Sequence, residues 1–209
     1  MTHRHVRWLA ASCSVLIALQ AVGCQSPFAA APTGAASDLL WQSPVRLVLL
    51  PLSAASDRVP EDAPELVTSR VLEALVQQIW CLVIPPTEVA LAARAGGVIA
   101  GDRLIALFAP DAVLRGVVTR YAGTATVDGR ATGPATVAFD LRLELPDGTL
   151  IWSGTYDERQ RHLTEDVGSF ARARRRGFRW VLPETLAAFG ATGLVERLAT
   201  DVGGATARR

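Results

Sequence analysis

Lysine is missing from this chain: all 21 basic residues are arginine. That absence removes Schiff-base chemistry and the lysine-dependent phosphate loop, both of which need a primary amine. Histidine and cysteine are scarce as well. His3 and His5 sit at the extreme amino terminus, so His162 is the one later imidazole, and beyond Cys24 the one cysteine is Cys81. A single imidazole and a single thiol cannot build a His/Cys zinc site of three or four ligands, so no metal is expected, and no motif asks for a cofactor. An internal disulfide is excluded on the same count, and the fold must stand on its core. Net charge is also small. It is +1 overall, and removing the residues before Cys24, with Arg4 and Arg7, leaves about −1. With no field to capture a polyanion, no nucleic-acid partner is expected.

Long apolar runs are lacking too. Trp8 to Val22 is mainly apolar but contains Ser12, Ser14 and Gln20, and it falls short of the roughly 20 residues that a bilayer crossing needs. Behind the basic "MTHRHVR" it fits the charged and apolar regions of a secretory signal, with small residues at the cleavage point. Ala21-Val22-Gly23-Cys24 resembles the bacterial lipoprotein box, with Ala21 where that box usually has Leu. The resemblance implies cleavage between Gly23 and Cys24 and acylation of the Cys24 thiol, whose chains would anchor the protein in a membrane. Ordinary cleavage after Gly23, giving a soluble secreted protein, and an uncleaved anchor remain alternatives. Gln25 replaces the Asp that commonly retains such lipoproteins at the inner membrane, which implies the periplasmic face of the outer membrane.

What is there suits one domain: 209 residues, 50% hydrophobic and 20% charged. The expected organisation is a signal peptide over 1–23, lipidated Cys24 with a flexible tether over 24–43, an α/β domain over 44–202 and a frayed tail over 203–209. The tether expectation rests on "QSPFAAAPTGAASDLLWQS", which has neither helical nor strand period. "VRLVLLPL" reads as a strand buried on both faces. Pro64 then opens a helix in which Val67, Val71, Leu72, Leu75, Val76 and Ile79 recur at three- and four-residue steps. "CLVIPP" is a short strand, Thr87 is placed to cap a helix ended by Gly96-Gly97, and "GDRLIALFAP" suggests another.

The period then changes to two. "DAVLRGVVTRY" is strand-like, with Gly116 marking a bulge or a close approach of backbone. Asp128-Gly129 suits a hairpin turn. In "ATVAFDLRLEL", Val137, Phe139, Leu141, Leu143 and Leu145 face one way and Thr136, Asp140, Arg142 and Glu144 the other. "PDG" supplies a turn into "TLIWSGTY", with Trp152 on the inward phase, and Pro183 starts a last helix through Leu186, Leu194 and Leu198. The expected fold is therefore α/β: a mixed sheet of about five strands, β-α-β first and an antiparallel three-strand meander after two helices.

"VRLVLLPL", the long helix and "APDAVLRGVVTRY", with the strands that follow, resemble the TolB amino-terminal-like fold of bacterial envelope lipoproteins. Penicillin-binding-protein activators and curli-secretion lipoproteins carry that fold. "PATVAFDLRLELPDGTLIWSGTYDERQ" is similar to uncharacterised lipoproteins of the same architecture. The resemblance covers about residues 45–200 and implies a non-catalytic binding or assembly module serving secretion, transport or envelope biogenesis. Activation of a peptidoglycan synthase is the alternative within that class, although the short tether departs from those activators.

Two clusters are candidate sites. Arg172, Arg174, Arg175, Arg176 and Arg179 stand beside Phe178 and Trp180. Guanidinium forks bind phosphates and carboxylates, so this run could meet an anionic lipid or an acidic envelope protein, or simply be a solvated loop. Asp157, Glu158 and His162 place carboxylates near an imidazole, which would suit a hydrolase. No nucleophile motif or oxyanion loop accompanies them, and no enzyme is expected. A binder of small apolar ligands is a further reading. Cys81 reads as a small buried hydrophobe.

Overall fold

The computed structural model describes residues 27–32, 44–96, 106–123, 126–127, 130–160 and 180–202. Its elements run β1 (Phe28–Pro32), β2 (Val45–Leu49), β3 (Ser53–Ala54), α1 (Ala63–Val76), β4 (Cys81–Ile84) and α2 (Pro86–Gly96). Then follow β5 (Ala112–Ala122), β6 (Thr126–Val127), β7 (Arg130–Ala131), β8 (Thr136–Glu144), β9 (Leu150–Arg159) and α3 (Pro183–Asp201). The fold is α/β. A seven-stranded mixed sheet has the order β1-β9-β8-β5-β2-β4, and β3 pairs with β5 beyond the end of β2. β2 is parallel to β4 and β5, whereas β5, β8, β9 and β1 alternate in direction.

The apolar run at the start of the domain does become a strand covered on both sides. Val45, Leu47 and Leu49 enter the main core with Val67, Val71 and Leu75 of α1 and Leu186, Leu194 and Leu198 of α3. Val48 points the other way, into a small cluster with Ile84, Val89 and Val113 under α2, as the period-two alternation of a strand requires. β8 has the expected alternation: Val137, Phe139, Leu141 and Leu143 are fully buried beside Trp152, while Arg142 is exposed. Thr68, the buried polar residue of α1, accepts from the Leu52 N–H (3.0 Å) and donates to the Pro64 carbonyl (2.6 Å), tying α1 to the end of β2. Gly148 has φ of 86° and its N–H donates to the Leu145 carbonyl (2.9 Å), the left-handed glycine expected after Pro146-Asp147.

Several expectations are corrected. Residues 25–43 do not read as a strand, yet Phe28–Pro32 pair with Trp152–Tyr156 as the edge strand β1. Alternation could not reveal it, because one large side chain among alanines has no period. Ile79 lies past the end of α1 and is 97% exposed, and Val76 is 58% exposed. The chain turns there, with the Gln78 N–H on the Leu75 carbonyl (2.9 Å), so the helical stripe stops at Leu75. Thr87 lies inside the first turn of α2. The Pro85 carbonyl receives the Glu88 N–H (3.1 Å) and Val89 N–H (3.4 Å), and Pro86 opens the helix. Gly116 marks a close approach, whereas the ladder irregularity falls between Val118 and Arg120. Of the second helix expected before β5, residues 106–108 are helical and 101–105 lie outside the described residues.

Candidate functional site

The antiparallel half of the sheet has a wet face. Arg115 pairs with Glu144 (3.0 Å), Arg120 with Asp157, and Thr155 donates to Asp140 (2.6 Å). These groups come from β5, β8 and β9 and neutralise one another across the strands. Asp157 and Glu158 do not form an acid–base pair. Successive strand residues face opposite sides, so Asp157 joins this wet face while Glu158 turns to the helix side and accepts from the Tyr156 hydroxyl (2.8 Å). His162 lies outside the described residues. Among those residues, no group of three His, Cys, Asp or Glu is placed to hold a metal.

The arginine run at 172–179 also lies outside the described residues, but its flanks are clear. Gln160 Oε1 accepts from the Ala135 N–H (3.2 Å) and the Val181 N–H (3.3 Å), and the Gln160 N–H donates to the Ala135 carbonyl (2.9 Å). The chain therefore leaves and re-enters at one point, just past β9. β1 enters beside it, where the Asp157 N–H donates to the Pro27 carbonyl (2.9 Å). Gly23 and Cys24 precede the described residues, and only Gln25 and Ser26 separate Cys24 from Pro27. Pro27 and the described residues on either side of 161–179 thus lie at one end of the sheet.

β1 is seated by a built socket. The Phe28 ring lies 5.2 Å from that of Tyr156, and the Arg197 guanidinium lies 5.2 Å from the centre of the Phe28 ring. Arg197 also donates to the Phe28 carbonyl (3.5 Å). Beneath sit two glycines of α3. A Cβ on Gly193 would fall 2.3 Å from Phe28, and one on Gly190 would fall 2.4 Å from Tyr156. Sequence reading missed this socket. Its signal was Gly190 and Gly193 inside an otherwise helical segment, a costly pair that something else must require.

Two titratable groups are displaced by burial. Cys81 is half-buried rather than the fully buried hydrophobe expected, and its burial pushes the thiol up to about 11, which favours the neutral form. Tyr121, near the amino ends of α1 and α3, is raised to about 12, first by burial and then by Glu184 and Asp62. A surface depression is formed by the single stretch Ala54–Glu61, with Ala54, Ala55, Val59 and Pro60 lining it beside Ser56, Asp57, Arg58 and Glu61. No described helix is long and apolar enough to cross a membrane.

No protein-family model matches the chain, and no curated protein sequence does. Solved structures similar to it include the PelC dodecamer from Paraburkholderia phytofirmans, at 16% identity over 82% of this chain and 96% of that one, with a TM-score of 0.48. Lipoprotein GNA1162 from Neisseria meningitidis is 18% identical over 75% of this chain and 99% of that one, with a TM-score of 0.48. Protein XCC0632 from Xanthomonas campestris, of family model DUF330, is 15% identical over 85% and 98%, with a TM-score of 0.45. None of the three reaches a TM-score of 0.5, so the likeness assigns neither partner nor chemistry to this chain.

Proposed function

We propose that the chain is an outer-membrane lipoprotein, anchored through Cys24 and facing the periplasm, whose α/β domain is a non-catalytic binding and assembly module of the cell envelope. The observation that carries the reading is the lipoprotein-like box ending at Cys24, placed three residues ahead of Pro27. A binding role is supported by the engagement of Asp157 with Arg120 and of Glu158 with Tyr156, on opposite faces. Arg172, Arg174, Arg175, Arg176 and Arg179 are the proposed contact for anionic headgroups or an acidic envelope protein. Both flanks of that run, Gln160 and Val181, lie at the sheet end that Cys24 precedes.

Labelled fatty acid should enter the mature wild-type chain, and Cys24→Ala should abolish labelling and release the protein from membrane fractions. An unlabelled wild-type chain overturns the anchor. Crosslinking in intact envelopes, followed by mass spectrometry, should recover the same partner reproducibly. Replacing the five arginines with Gln should weaken that capture several-fold, and unchanged capture by a folded variant removes them as the contact.

A further inference from the structure

The exposed large apolar side chains of the described residues mostly lie far from β1. Val76 and Ile79 are at and beyond the carboxyl end of α1. Leu82 and Leu91 belong to β4 and to α2, which packs over it, at the opposite edge of the sheet. Phe189 of α3 is different. It is the one aromatic side chain in this group, 42% exposed, and it stands one helical turn ahead of Gly193 on the same helix face. Gly193 carries the ring of Phe28, which is only partly buried, and Arg197 follows one turn later, over that ring. The height of Phe189 on the sheet is fixed by its neighbour. Gly190 packs on Tyr156, and Tyr156 pairs with Phe28, the first residue of β1.

Gln25 and Ser26 link Cys24 to Pro27, so an acylated Cys24 holds a bilayer surface within about 11 Å of the start of β1. The attachment is to an edge strand, and it tips the domain onto the corner where β1 meets α3. The chemistry of that corner suits a lipid interface. Aromatic rings are favoured at the boundary between headgroups and acyl chains, and binding there grows with buried apolar area and with cationic groups beside it. Arg197 lies about 12 Å further along α3 than Phe189, set back from the bilayer. Its bond to the Phe28 carbonyl (3.5 Å) takes one of five guanidinium donors.

We propose that Phe189, the exposed part of Phe28 and Arg197 form a second, non-covalent membrane contact on the bilayer that holds Cys24. The occupant is a phospholipid surface: the rings enter the headgroup–acyl boundary and the guanidinium meets a headgroup phosphate. This rests on the anchored reading given above and deepens it by naming the face that the domain turns to the membrane.

The test uses wild-type chain acylated at Cys24 with labelled fatty acid, in vesicles of phosphatidylethanolamine and phosphatidylglycerol. A trace phospholipid carries a photoactivatable group at the top of its acyl chain, and mass spectrometry locates the adducts. They should fall on Phe28 and Phe189 several-fold more often than on Leu82 and Leu91, which are more exposed, at 60% and 62%. Phe189→Ser should lower adduct formation on Phe28 several-fold, and Leu91→Ser should leave it unchanged. Adducts as frequent on Leu82 and Leu91 as on Phe189 overturn the patch, and so does a folded Phe189→Ser chain with undiminished adducts on Phe28. In both cases the fatty-acid label leaves the anchor standing. Absence of that label removes the anchor and the patch with it. If Phe189→Ser does not fold, the wild-type adduct pattern alone decides.

Discussion

Gly116 has no room for a side chain. A Cβ there would lie 2.7 Å from Leu52 Cγ and 2.9 Å from both the Asp140 carbonyl oxygen and Leu141 Cδ2. The carbonyl belongs to the backbone of the neighbouring strand and cannot yield cheaply. Ala in place of Gly gains up to about 1 kcal/mol by restricting the unfolded chain, but overpacking costs about 1–3 kcal/mol and wins. Gly116→Ala should therefore lower the denaturation midpoint, measurable by urea titration. Cys81 and Tyr121 set a second expectation. Both are acids held neutral by burial, with folded values of about 11 and about 12 against ordinary values of 9.0 and 10.0. Their contribution is complete below the ordinary value and is lost as pH rises through the folded one. The urea midpoint should be insensitive to these groups up to about pH 8 and should fall between about pH 9 and 12. Cys81→Ala should remove the earlier part of that fall. If the variant and wild type decline together from pH 9, the thiol is not its source.

The elements that were legible in the sequence are those whose burial is periodic. β8 has clean alternation, α3 has leucines in helical phase, and the Pro146-Asp147-Gly148 turn carries its own dihedral demand. β1 was not legible. "FAAAP" has no pattern, and its strand state is conferred by β9 and by Gly190 and Gly193, more than a hundred residues away in the chain. The same reason hid the candidate site, since an aromatic socket is a tertiary coincidence that one-dimensional spacing does not display. Asp157 and Glu158 were visible as neighbours, and only the strand geometry separates them. The two glycines predict unlike outcomes. Gly190 faces Tyr156, which is fully buried and fixed by Phe139 on the next strand, with ring centres 5.5 Å apart. Although Ala favours a helix by about 1 kcal/mol, Gly190→Ala should cost a net ~1–2 kcal/mol because Tyr156 cannot withdraw. That is a fall of about 2–8 °C in the thermal midpoint. An unchanged midpoint would mean that the α3–sheet contact is looser than the structure shows.

At the scale of the molecule, the two ends of the sheet differ in their relation to Cys24. Pro27, the loop after β3 and the flanks of the arginine run lie at one end, while the Leu145–Thr149 turn lies at the other, a β8 length away. Nine residues of strand span roughly 30 Å. Gln25 and Ser26 link Cys24 to Pro27, three Cα–Cα steps with a reach of at most about 11 Å. With β1 docked, an acylated chain is held end-on, close to the bilayer. Fluorophores placed on Glu61→Cys and Asp147→Cys, in chains acylated at Cys24 and reconstituted in vesicles with a headgroup quencher, should report the difference. Both positions are exposed, and the half-buried Cys81 thiol, its proton held up to about pH 11, should compete little for label at neutral pH. Quenching should be several-fold stronger at position 61 than at 147. Adding Gly193→Val should bring the two together, because the filled socket expels Phe28 while α3 keeps its leucines in the core. Equal quenching in the wild-type background would mean that the docked strand does not orient the domain.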